Sequence, residues 1–295
     1  MRICSFLPSA TEIIADLGLV DSLVGVSEEC RWPAEVVGKP VVTAARITPE
    51  SMTSLEIDAA VRESIRDGRS LYAVDADLID ELAPDVIVTQ DLCAVCAVSS
   101  GQLESACPVG AEIVSLDPRT LTEVADSVRT LATRLGVAVR GDEIATRMLE
   151  DVESVAVTVR GRPRRRVFFA EWVEPPFCAG HWLPEMVASA GGEDVLGLPG
   201  QPSRSTTWDA VLALEPELVV LGPCGFGAEE AFERAAGLRL PCPAVAVDGD
   251  AYFSRPAPRL AQGVHQLAHL FHPDRVPDPG LPAIAFHGRR AGGTL

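Results

Sequence analysis

Two short spacings carry the clearest chemical suggestion in this sequence, Cys93-Ala-Val-Cys96 and Cys178-Ala-Gly-His181. A thiol near a helix N-terminus loses its proton more readily, and the thiolate is both nucleophile and metal ligand. Three chemistries stay open. The Cys-x-x-Cys pair can serve as a redox dithiol. Cys93 and Cys96, with Cys30, Cys178 and His181, can hold a soft metal such as zinc or iron, although no second Cys-x-x-Cys completes a structural zinc set. The thiols can also be small apolar groups lining a helix start. His181 by itself either ligates a metal or satisfies a hydrogen bond. Aromatic residues are scarce at 5%, yet Trp32, Trp172, Trp182 and Trp208 fall in or beside predicted loops. A Trp next to Pro and Gly at such an edge can grip a flat ligand, or simply pack into the core.

Several chemistries are missing. There is no Walker loop, no Gly-x-Gly-x-x-Gly after a strand, no Gly-x-Ser-x-Gly elbow and no pair of carboxylates in a hydrolytic setting. A net charge of −17 argues against nucleic acid, because phosphates call for a positive face. No window approaches the apolar length of a membrane helix. The first residues, Met-Arg-Ile-Cys-Ser-Phe-Leu-Pro-Ser, carry no export signal, so the expectation is a cytoplasmic protein whose eight cysteines are thiols or ligands.

The elements that must position these residues are organised around the middle of the chain. Apolar residues at Leu121, Val124, Ala125, Val128, Leu131, Ala132 and Leu135 follow the three-and-four spacing of one buried helix face. A second run, Val139 to Val159, is interrupted only by Gly141 and predicts a helix of about 20 residues, roughly 30 Å long. The stretch Arg160-Gly-Arg-Pro-Arg-Arg-Arg166 ends it. Strands alternate with helices on either side, so the sheets should be mainly parallel and covered on both faces. The two sides also repeat. Leu82-Ala-Pro-Asp-Val-Ile-Val88 parallels Leu214-Glu-Pro-Glu-Leu-Val-Val220, and Glu12 and Ala15 face Glu185 and Ala188. The expected division is an N-terminal α/β lobe (1–118), linking helices forming a rigid spine (119–162), a second α/β lobe (163–272) and a loose Pro- and Gly-rich tail (273–295).

In open parallel sheets ligands bind beyond the carboxyl ends of the strands. The segments expected there are 8–11, 27–33, 90–98, 171–185, 222–227 and 248–255. Ser9 or Thr11 should cap the first helix. Tyr252, Phe253 and Arg255 either close the floor of a cleft between the lobes or form a structural corner.

Several stretches carry a resemblance. Ser5-Phe-Leu-Pro-Ser-Ala-Thr-Glu12, Val24-Gly-Val-Ser-Glu-Glu-Cys30 before Pro33, Ser70-Leu-Tyr72, Thr89-Gln-Asp-Leu-Cys-Ala-Val-Cys-Ala-Val-Ser99 and Asp248-Gly-Asp-Ala-Tyr-Phe-Ser-Arg-Pro-Ala-Pro-Arg-Leu260 resemble the cobalamin-binding proteins. That family belongs with the substrate-binding components of ABC importers for cobalamin and iron complexes. The resemblance spans about residues 1–272. It implies two Rossmann-like lobes joined by one long backbone helix, of the class III periplasmic-binding-protein type. It also implies that a corrinoid or similar metal macrocycle is bound without catalysis. Ligand-lining residues would then be Ser9, Cys30, Trp32, Cys93, Cys96, Trp172, His181, Trp182 and Phe253. Glu28 stands where relatives of this branch often carry His. With no export signal at the start, the expectation is a cytoplasmic carrier or sensor, and docking on importer membrane subunits is in doubt.

Overall fold

The computed structural model describes residues 1–67, 70–91 and 110–286. The chain forms two compact units. The first is Met1–Pro118 with Val124–Thr146, and the second is Arg119–Glu123 with Arg147–Leu295.

Unit 1 runs β1 (Ile3–Ser5), α1 (Pro8–Asp16), β2 (Leu23–Val26), β3 (Thr43–Ala45), α2 (Ser54–Arg66), β4 (Tyr72–Val74), α3 (Ala76–Leu82), β5 (Val86–Thr89) and β6 (Glu112–Ser115). Its main sheet has the order β2-β1-β5-β6, with every pair parallel. The buried runs Ile3–Ser5 and Val86–Thr89 show no polar alternation, as expected for strands covered on both faces. β3 and β4 form a separate antiparallel pair. Cys4, Phe6, Val42, Ile79 and Ile87 make a core between these layers.

Two helices follow, α4 (Leu121–Arg134) and α5 (Ala138–Val159), the latter 22 residues long. The break between them is at Gly136, whose φ of +77° suits a residue without a side chain. Gly141 is buried, and a methyl built on it would overlap that of Ala132, with the Val128 carbonyl oxygen 3.3 Å away. Here glycine does not weaken a helix by accident; it lets α5 lie against α4.

Unit 2 runs β7 (Arg165–Val173), β8 (Pro176–Cys178), α6 (Leu183–Ser189), β9 (Gly192–Asp194), α7 (Trp208–Leu212), β10 (Leu218–Leu221), α8 (Ala228–Arg234), β11 (Ala244–Val247), α9 (Gly249–Tyr252), α10 (Leu260–Phe271) and β12 (Ala283–Phe286). The sheet order is β12-β11-β10-β7-β8, with β9 also on β7. β7, β9, β10 and β11 pair in parallel, whereas β8 and β12 are antiparallel additions. The segment after Pro273 was expected to be loose. Instead β12 closes the sheet, Phe286 enters the core beside Phe232, and Gln266 donates from Nε2 to the Pro282 carbonyl at 2.9 Å. Among the described residues no helix is long and apolar enough to cross a membrane.

The internal repeat extends below the level of letters. Asp75 caps α3 by accepting from Leu78 N–H at 3.0 Å, and Thr207 caps α7 by accepting from Ala210 N–H at 3.2 Å. Ala83 and Glu215, the residues before the matching prolines, both adopt left-handed φ, at 42° and 50°. Arg2 donates to the Leu82 carbonyl and Arg166 to the Leu214 carbonyl, each at 2.7 Å. The backbone N–H of Arg2 meets the Asp85 carboxylate at 2.7 Å, and that of Arg166 meets Glu217 at 2.8 Å. One helix-turn-strand device, with its arginine clamp, is thus used in each unit.

Candidate functional site

In unit 1 the carboxyl ends of β1 and β2 lead into α1 and into the loop that carries Cys30 and Trp32. Ser9 is not the cap of α1. The helix begins at Pro8, which needs no N–H partner, with Leu7 extended as its N-cap. Ser9 and Thr11 are therefore inside the first turns and buried. Thr11 Oγ1 donates to Cys30 Sγ at 3.0 Å and ties the loop after β2 to the helix after β1. Cys30 is buried, while Trp32 is 46% exposed. Cys93 and Cys96 lie outside the described residues.

In unit 2 the tryptophans separate into two kinds. Trp182 is 6% exposed, and its Nε1–H donates to the Phe253 carbonyl at 2.8 Å. Phe253 is fully buried and packs on Phe169, ring centroids 5.2 Å apart. Arg255 is buried in a two-pronged pair with Asp250. This is the structural corner allowed for by the sequence. Trp208 is likewise partly buried in the core, edge-on to Phe168.

Trp172 differs. It lies near the end of β7, two residues past Ala170, the last β7 position paired with β10, and it is half-buried. Its Nε1–H donates to the Glu174 carbonyl at 3.2 Å within the β7–β8 turn. Its ring leans on Phe226, centroids 5.7 Å apart and planes inclined by 47°. Phe226 comes from the loop after β10, which also holds the exposed Cys224 and is pinned to β7 by Cys224 N–H to the Glu171 carbonyl at 3.0 Å. Sequence reasoning named Trp172 but missed Phe226, because only folding brings the two loops together.

Cys178 and His181 share the turn after β8. A Glu171 carboxylate oxygen accepts from Gly180 N–H and shapes that turn. Burial pushes the Cys178 thiol up, and the carboxylates of Glu171 and Asp194 add to the effect. Burial pushes the His181 imidazole down, with a smaller effect from Arg119. His181 has φ 49°, and its buried Nε2 has no hydrogen-bond partner among the described residues. A thiol held protonated is a poor metal ligand and a poor nucleophile. Among the described residues no group of three or more His, Cys, Asp or Glu is placed to hold a metal ion. The free-metal and redox readings therefore gain no support from the described residues.

Asp194 ends β9 with its carboxylate accepting from Phe169 N–H at 3.0 Å and Leu196 N–H at 2.9 Å. Burial outweighs these bonds and pushes its pKa up to about 6. The folded state thus holds this proton more tightly than the unfolded chain. Its contribution to stability is full below the ordinary carboxylate value and is lost as pH rises towards 6. The loss is about 3 kcal/mol, from about two pKa units at 1.36 kcal/mol each. Urea unfolding of the protein and of Asp194→Asn between pH 4 and 7 should show the native advantage over the variant falling by that order. A constant difference across the range would show that Asp194 ionises freely in the fold.

No protein-family model matches the chain. A vitamin B12-binding protein of Salmonella typhi is 24% identical over 229 residues, covering 77% of this chain and 84% of the relative. An uncharacterised ABC transporter substrate-binding lipoprotein of Bacillus subtilis is 25% identical over 288 residues, covering 92% and 80%. The solved periplasmic vitamin B12-binding protein of Vibrio cholerae superposes with a TM-score of 0.62 at 20% identity, over 90% of this chain and 94% of that one. A periplasmic heme-binding protein of Pseudomonas aeruginosa does so at 0.66 and 18% identity, over 99% of both chains. The chain has the fold of the periplasmic solute-binding proteins. The α/β architecture of class III expected from the sequence is thereby shown, and so is the likeness to cobalamin-binding proteins among ABC-importer components. The cytoplasmic expectation is overturned. A substrate-binding lipoprotein and periplasmic proteins are what the chain is similar to, and they point to an extracytoplasmic site. The doubt about an importer rested on the same ground and falls with it.

Proposed function

We propose that this protein binds a metal-containing tetrapyrrole-type macrocycle, a corrinoid in the first instance, without catalysing a reaction, and presents it to the membrane subunits of an ABC importer. The observation that carries the reading is the similarity to vitamin B12-binding proteins along 229 residues. The geometry is consistent with it. Trp172 on Phe226 offers an indole face at the carboxyl edge of the unit 2 sheet, and Trp32 offers a second in the loop after β2 of unit 1. In this reading Trp172 is the proposed contact residue of unit 2, and Trp32 that of unit 1. Cys30, tied to Thr11, holds the unit 1 loop in place, as Trp182 and Phe253 do in unit 2, and Ser9 is buried in the first helix. His181 is a neutral imidazole beside the unit 2 loops.

The solved neighbours include heme-binding proteins, so heme is the second reading, favoured by the flatness of a porphyrin against an indole. Reduced, metal-free protein titrated with hydroxocobalamin and, separately, with hemin distinguishes them. Saturable quenching of Trp fluorescence with a shift of the corrin bands is expected. No response to either at about 100 μM, which corresponds to about −5.5 kcal/mol, would sink the macrocycle reading.

A further inference from the structure

We infer that Arg234 is a positioning residue for Trp172, acting through Phe226. Arg234 is the last residue of α8, and its guanidinium carbon sits 3.8 Å from the Phe226 ring centroid. That is a stacked cation–π contact, closer than the outer limit of about 6 Å for such pairs. The same ring is the one on which Trp172 leans. Phe226 is 6% exposed, so its ring is shielded from water, while Arg234 is partly exposed at its side. The Phe226 backbone is fixed as well: its N–H donates to the Pro223 carbonyl at 3.2 Å, and its carbonyl accepts from Asp250 N–H at 3.1 Å. With the backbone held, the remaining freedom is rotation of the ring, and the guanidinium plate restrains it. Trp172 has its own tether, the bond from Nε1 to the Glu174 carbonyl, which fixes one edge of the indole but not its tilt. The ring of Phe226 supplies that second constraint. The order of support is therefore Arg234, Phe226, Trp172 and then the ligand.

The inference rests on the reading of Trp172 as a ligand-facing residue only in its last step. The earlier steps can be measured without any ligand. Emission and near-ultraviolet circular dichroism of the full chain, minus those of Trp172→Phe, isolate the Trp172 signal. Arg234→Leu should shift that signal to longer wavelength and flatten its dichroism, with far-ultraviolet dichroism unchanged. Arg234→Lys, which keeps the cation but not the plate, should restore part of it. If Arg234→Leu fails to fold, Arg234→Gln keeps a polar side chain without the charge and tests the same contact. With hydroxocobalamin or hemin as probe, Arg234→Leu should bind about threefold to tenfold more weakly. An unchanged Trp172 signal in Arg234→Leu or Arg234→Gln would overturn the inference. So would a changed signal with unchanged affinity for a probe that the native chain binds. If the native chain binds neither probe, the proposed function falls, while the ligand-free spectra still decide whether Arg234 positions Trp172.

Discussion

Replacing Gly141 with alanine is expected to destabilise the protein by about 2 kcal/mol, against the direction that helix propensity alone would give. Alanine in a helix interior is favoured over glycine by about 1 kcal/mol. The packing effect is larger. The new methyl would overlap the Ala132 methyl, both on helical backbone that cannot yield locally. Overpacking of this kind costs about 1–3 kcal/mol, and the directness of the overlap puts it at the upper end. The sharper expectation concerns the pair. Ala132→Gly with Gly141→Ala moves one methyl from α4 to α5 and removes the overlap, so the double variant should return to within about 1 kcal/mol of the parent. Urea denaturation of the four proteins measures the coupling. Additive single effects would mean that α4 and α5 do not meet at this point.

The second large effect distinguishes two tryptophans that look alike in the sequence. Trp182→Ala removes a buried indole and leaves the Phe253 carbonyl without its donor. The expected loss is about 3–5 kcal/mol, enough to unfold a marginal protein. Trp172→Ala removes a half-buried ring whose support, Phe226, stays in place. Its melting temperature should move by only a few degrees, while the macrocycle probe binds at least about tenfold more weakly, a loss of about 1.4 kcal/mol. The measurements are a thermal melt and a titration on each variant. A destabilised Trp172→Ala, or a stable Trp182→Ala that has lost affinity, would reverse the assignment.

These cases show what the letters could and could not convey. The periodic apolar face of α4 was readable, because a helix leaves a long regular signature. Gly141 looked like an interruption, since its reason lies on another helix. The short strands β8 and β9 were missed, because three residues carry no periodicity. β12 was hidden by the prolines around it, which describe the approach to an edge strand and not the strand itself. The resemblance to importer components was visible in stretches such as Thr89 to Ser99. The opening residues suggested a cytoplasmic protein, and the similarity to a substrate-binding lipoprotein and to periplasmic proteins overturns that expectation. At the site, sequence position put Trp172 and Trp182 in the same loop region. Which of them is consumed by the core depends on a hydrogen bond to Phe253, 71 residues away. Phe226 fell within the expected edge segment 222–227 without being singled out, and Arg234 carried no signal, because their meaning comes from what they touch.

The antiparallel closure by β12 has a consequence for biosynthesis. The strands of the unit 1 sheet all lie before residue 116, so its pairing is available early in synthesis. Among the described residues the unit 2 sheet is completed only by β12, made after all its other strands. Until then Ala244–Val247, an uncharged and wholly apolar run, presents an unpaired backbone edge. A chain halted or clipped before Ala283 would keep that edge open and would tend to pair with other copies of itself. Within the described residues, β12 is therefore the element that hides an otherwise sticky edge.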